Sequence, residues 1–151
     1  MRIRPFRPND LETLCAIDQA CFAPGISYSR RELQDFTRHR NSRTWVAEEG
    51  KEIVGFLVAN RHPAMPLGHI ITVDVVESWR RRGVGSALMD AAEAWARQCG
   101  FITLSLETAE DNLSAQAFYG RRGYVKYDTL QNYYADGTAA WAMAKKLKDE
   151  V

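Results

Sequence analysis

Arg80-Arg81-Arg82-Gly83-Val84-Gly85 decides how this chain is read. A β-branched run precedes it and an amphipathic run follows as far as Cys99. The pattern is strand, basic glycine turn, helix start. A helix N-terminus presents unpaired N–H groups and the positive end of the peptide dipoles. Glycines let a phosphate come close to those amides, and arginines add charge. The segment 80–86, ending at Ser86, is therefore a candidate pyrophosphate site. It is not a P-loop, because no Gly-Lys-Ser/Thr follows. It also misses the dinucleotide fingerprint, since Leu88 stands where a third glycine or alanine belongs, although Glu107 lies about twenty residues on.

Outward from this turn, the spacing predicts a long helix from Gly83 to Cys99, its apolar face built from Val84, Leu88, Ala91, Ala92, Trp95 and Cys99. Gly100 ends it. The preceding run, His69 to Val76, reads as a buried strand. Ile3 to Phe6 reads as a first strand, followed by a helix capped by Asn9 or Asp10 that carries Leu11, Leu14, Cys15, Ile17, Asp18 and Cys21. Ser29 and Glu32 have capping-box spacing for a second helix. Thr44–Glu48 and Glu52–Asn60 form a hairpin about Gly50. After the long helix come a strand at Ile102–Leu106, a helix at Asn112–Arg121, and strands at Tyr124–Thr129 and Ala139–Ala144. Trp45, Trp95 and Trp141 read as core, and Lys145, Lys146 and Lys148 as a solvated tail.

Composition narrows the function. Twenty basic and nineteen acidic side chains leave the chain nearly neutral, which argues against broad nucleic-acid binding. No stretch approaches the ~18 apolar residues of a membrane span, and no signal-peptide core is seen. Cys15, Cys21 and Cys99, like His39, His62 and His69, lack metal-ligand spacing. The expectations are one domain over 1–151, a reduced cytoplasmic setting, no metal, no nucleic acid and no membrane partner.

The glycine turn resembles the (Q/R)-x-x-G-x-(G/A) signature of the GNAT superfamily of N-acetyltransferases. Ile71-Thr72-Val73-Asp74-Val75 resembles the family strand whose backbone tracks the pantetheine arm. Asn112 and Ala117-Phe118-Tyr119-Gly120-Arg121-Arg122-Gly123-Tyr124 resemble the family's downstream element. Within the superfamily the chain is most similar to ribosomal-protein N-terminal alanine acetyltransferases. Leu106-Glu107-Thr108, twelve residues before Tyr119, sits like the family's catalytic pair. Asn132-Tyr133-Tyr134 resembles its peptide-slot segment. Cys21-Phe22-Ala23-Pro24 matches its Phe-Pro loop more loosely, with the family tryptophan absent and Tyr28 nearby.

The resemblance implies an α/β fold: a mixed, mostly antiparallel sheet flanked by helices, with two central parallel strands splayed to admit acetyl-CoA. It implies cofactor contacts from Val73, Val75, Arg80, Arg81, Arg82, Gly83, Val84, Gly85, Ser86 and Asn112. Phe22, Tyr133 and Tyr134 would line the acceptor slot. The acceptor would be a peptide or protein N-terminus, with a lysine, polyamine or other small amine as the alternative. A non-catalytic CoA-binding domain is a third reading, and the chain would act as a monomer or dimer.

Acyl transfer to an amine needs a neutral amine, support for charge growing on the carbonyl oxygen and a proton for the leaving thiolate. Glu107 at a strand end is the candidate base, directly or through water, or else a solvated carboxylate. Tyr119 is the candidate acid, or else core. Asn112 caps a helix, touches the cofactor arm, or does both. Tyr133 and Tyr134 bind peptide or pack the last strands. Trp79 stacks on the cofactor or anchors the turn. Deprotonating an α-amine at pH 7 costs about 1 kcal/mol, against about 4.6 kcal/mol for lysine. A modest base therefore suits an N-terminus better.

Overall fold

A computed structural model describes residues 1–148. Positions 149–151, the end of the expected domain, lie outside the described residues. The elements are β1 (Arg2–Pro5), α1 (Leu11–Cys21), α2 (Arg30–Arg38), β2 (Ser42–Glu49), β3 (Glu52–Arg61), β4 (Leu67–Val75), α3 (Val84–Gln98), β5 (Thr103–Ala109), α4 (Leu113–Arg121), β6 (Val125–Leu130) and β7 (Ala140–Lys146). One seven-stranded sheet runs in the order β1-β2-β3-β4-β5-β7-β6. Every neighbouring pair is antiparallel except β4 and β5, as the sequence led us to expect.

Each face of the sheet carries its own apolar cluster. Val84, Leu88, Met89, Ala92 and Ala96 of α3 pack with Leu57, Ile70, Leu104, Leu106 and Tyr119 on one face. Leu11, Leu14, Cys15 and Ile17 of α1 and Leu33 of α2 pack with Val46, Phe56 and Val58 on the other. The three-to-four spacing of the α3 residues and the alternation along β5 place these side chains inward.

Two features shape the site. The β4–β5 pairing runs from Leu67↔Thr103 to Ile70↔Leu106 and stops. Beyond it β4 continues to Val75 and β5 to Ala109 without pairing each other, which opens the expected splay. Just there the β3–β4 register shifts, Val58 opposing Thr72 while Ala59 opposes Ile70. Ile71 is the extra residue of a β-bulge. Ile70 faces the α3 cluster, Ile71 the α1 cluster, and Val73 and Val75 the α3 cluster again.

Three expectations need correction. Asp10 stands at the N-cap of α1 but makes no side-chain cap. Its carboxylate instead accepts a two-pronged hydrogen bond from the buried Arg4 (2.9 and 3.0 Å) and one from Arg7 N (2.7 Å), a charged pair that outbids a single amide. The strand at 69–76 is not uniformly buried, because every second residue from Leu67 to Val75 is only half-buried. Lys145 is not part of a solvated tail, since its Nζ donates to Glu93 Oε1 at 2.9 Å.

Candidate active site

The glycine turn takes the shape its residues allow. Arg81 and Gly83 have φ of 63° and 83°, so the chain coils left-handedly twice before α3 starts. Gly83 occupies the N-cap, and a side chain there would be strained by φ alone, since the space around it is open. The first amides of α3, from Val84 to Ser86, are left without intrahelical acceptors. Gly85 has a second duty, because a Cβ there would meet the Phe118 ring of α4 at 3.3 Å. Arg80 Nε donates to the Val75 carbonyl at 3.1 Å, tying the turn to the end of β4. Arg82 lies over the Trp79 ring, 4.0 Å from its centroid, so Trp79 anchors the turn.

At the opening of the splay lies Glu107, its side chain 16% exposed. Glu107 Oε1 accepts from Tyr133 Oη at 3.0 Å and sits 2.9 Å from His69 Nε2. His69 Nδ1 is 2.8 Å from Ser105 Oγ. His69 thus bridges Ser105 to Glu107, and the Ser105 hydroxyl also reaches the Gly68 carbonyl at 3.4 Å. Tyr134 packs edge-on against Tyr133, with ring centroids 5.0 Å apart. Burial pushes the Tyr134 hydroxyl up to about 12, and the Glu107 charge adds to this. The same two causes, in the same order, raise Tyr133.

Tyr119 is buried in the α3 cluster. Burial raises its hydroxyl well above the usual tyrosine range, with Asp74 and Tyr134 contributing. The core reading of Tyr119 therefore holds. Asn112 caps α4, its side chain accepting from Ala115 N at 3.1 Å. Val73 and Val75 lie on the unpaired end of β4. Phe22 is half-buried at the end of α1. Its loop meets the Tyr134 loop through a hydrogen bond from Ala135 N to the Gly25 carbonyl at 3.1 Å.

His69 escaped the sequence reading, which saw only scattered histidines. The available signal was a lone polar ring in an apolar run, on a strand expected to lie parallel to the one carrying Ser105 and Glu107. The pairing His69↔Ser105 supplies the missing link. Among the described residues no cluster of metal-ligating side chains occurs and no helix is long and apolar enough to cross a membrane.

Comparison with known proteins agrees with this architecture. An N-alpha-acetyltransferase of Sulfurisphaera tokodaii is 27% identical over 157 residues, spanning 97% of this chain and 93% of that protein. The crystal structure of Ard1 from Thermoplasma volcanium superposes with a TM-score of 0.87 at 31% identity, covering 98% of each chain. The ribosomal-protein-S18-alanine N-acetyltransferase of Escherichia coli shares the fold, with a TM-score of 0.87 at 21% identity over 99% of this chain and 96% of its own. The acetyltransferase (GNAT) family model matches residues 11–124, and with that extent the chain belongs to the GNAT family of acetyltransferases.

Proposed function

We propose that the protein transfers the acetyl group of acetyl-CoA to the α-amine of a protein N-terminus, the whole chain acting as one catalytic unit. The observation that carries this is Glu107, bridged to His69 and Tyr133 where β4 and β5 part. The N-alpha-acetyltransferase relative and the family match support the same reaction.

The chain's own groups fit acetyl-CoA. The exposed turn at 80–83 and the free amides of α3 suit the pyrophosphate. The unpaired end of β4, with Val73 and Val75, offers backbone groups to the pantetheine arm. The attack is direct: the amine nitrogen bonds to the acetyl carbon as the carbon–sulfur bond breaks. Glu107 receives the amine proton, with His69 and Tyr133 fixing the carboxylate. Its Oε1 is committed to those two partners, which leaves Oε2 toward the incoming amine or a water. Tyr119 stays protonated throughout the physiological range. A hydroxyl so reluctant to ionise donates a hydrogen bond to the departing thiolate, and water completes the protonation. Phe22 and Tyr134 border the acceptor slot. Three free cysteines suit a reducing, cytoplasmic setting.

A peptide panel with free and blocked N-termini, followed by mass spectrometry and CoA-thiol release, tests the reading. Acetylation at the N-terminal amine is expected. Modification confined to lysine side chains or to small amines would replace the acceptor, and no thiol release from any amine would remove the enzyme assignment.

A further inference from the structure

Asp18 of α1 and Asp74 of β4 are buried, at 0% and 1% exposure, and lie within hydrogen-bonding reach of each other. Each spends one oxygen elsewhere. Asp18 Oδ2 accepts from Tyr28 N at 2.7 Å, and Asp74 Oδ1 accepts from Thr72 Oγ1 at 2.5 Å. The remaining oxygens, Asp18 Oδ1 and Asp74 Oδ2, are buried without any donor among the described residues. Two bare carboxylates facing each other out of water would be strongly repulsive. One proton between them satisfies both.

We propose that Asp18 and Asp74 share a single proton in a carboxyl–carboxylate hydrogen bond that fixes the loop 22–29 against the splayed end of β4. The protonated oxygen donates and the facing one accepts, and Asp18 holds the loop through the Tyr28 amide. A second tie reinforces it, because Tyr28 Oη donates to the carbonyl of the bulged Ile71 at 3.5 Å. The other groups near the pair are Arg80 from the glycine turn, Cys15 and Cys21 from α1, and Tyr119 from α4. Arg80 favours ionisation of Asp74, while burial and Asp18 oppose it more strongly and hold the carboxyl protonated well above its usual range. Asp18 and Asp74 are positioning residues. Their kinetic effect rests on the proposed acceptor slot, whereas the shared proton does not.

The unmodified protein, labelled with carbon-13 at aspartate side-chain carboxyls and assigned through bonds, gives the first readout. At neutral pH the Asp18–Asp74 pair should still hold one proton. Complete ionisation of both overturns the proposal. Hydrogen exchange at the Tyr28 amide gives the second. Asp74→Ala should speed it about tenfold or more relative to other protected amides, and Asp74→Asn, which can donate to Asp18, should restore protection. Unchanged exchange in Asp74→Ala overturns the positioning role. Should that variant fail to fold, alkaline titration of the unmodified protein replaces it, and Tyr28 protection must fall as the shared proton leaves. For the enzyme, Asp74→Ala should raise the acceptor KM about tenfold with little change for acetyl-CoA, and Asp74→Asn should rescue it. A chain that acetylates no peptide loses the kinetic readout alone; the carbon and amide measurements still decide.

Discussion

Buried acids do opposite things on the two sides of β4. On the α3 side Glu93, 4% exposed, is saturated with partners. Lys145 Nζ donates to it at 2.9 Å, Tyr124 Oη at 3.1 Å and Arg122 at 3.4 Å. It pins α3 to the end of α4 and to β7. In the splay, Asp18, Asp74 and Glu107 have no lysine or arginine bonded to them among the described residues. Their partners are the Tyr28 amide, the Thr72 and Tyr133 hydroxyls and an imidazole. With its cations the buried Glu93 is a rivet, while the acids of the splay are free for the roles proposed above.

Substitutions should separate these roles. Glu107→Gln is expected to lower kcat by about 10²–10³-fold while leaving the melting temperature and acetyl-CoA binding nearly intact. Steady-state kinetics beside calorimetry will tell, and a full rate at neutral pH would strip Glu107 of its role. Glu93→Ala should do the reverse. Unfolding in urea should show a loss of about 3 kcal/mol, because Lys145 and Arg122 keep charges without their buried partner. Its kcat per folded molecule should hold.

Ser105→Ala removes the hydrogen bond to His69 Nδ1. A kcat about fivefold lower is expected, the worth of one ordinary hydrogen bond of about 1 kcal/mol. The smallest effect is on stability against pH. Asp74 has a folded pKa raised above the unfolded 3.8, so its contribution is complete below that value and fades as pH climbs toward the folded one. Melting temperatures measured from acid to alkaline pH should decline less steeply for Asp74→Asn than for the unmodified protein. Parallel slopes would mean Asp74 is ionised like any surface acid.

The elements were legible in the sequence because each carries its own local pattern. The α3 stripe ends at Gly100, Ser29 and Glu32 cap α2, and Gly50 turns the hairpin. The glycine turn was legible through motif spacing, which also singled out Glu107 and Tyr119 as candidates. What stayed hidden depends on residues that meet only after folding. His69 reaches Ser105 across a parallel crossover. Asp18 meets Asp74 only once α1 lies on the sheet. Lys145 finds Glu93 because β7 lies beside β5, as no charge pattern near the C-terminus could announce. The Ile71 bulge is silent too, since the apolar run around it reads the same with or without an inserted residue.

That bulge has a consequence for how the chain can change. His69 and Asp74 are separated by an odd number of positions, and an even pleat would point them to opposite sides. The surplus residue restores them to a common side, His69 with Ser105 and Glu107, Asp74 with Asp18. Removing a single residue at 71 would leave every polar group in the sequence yet turn either His69 or Asp74 toward α3, parting it from its partners.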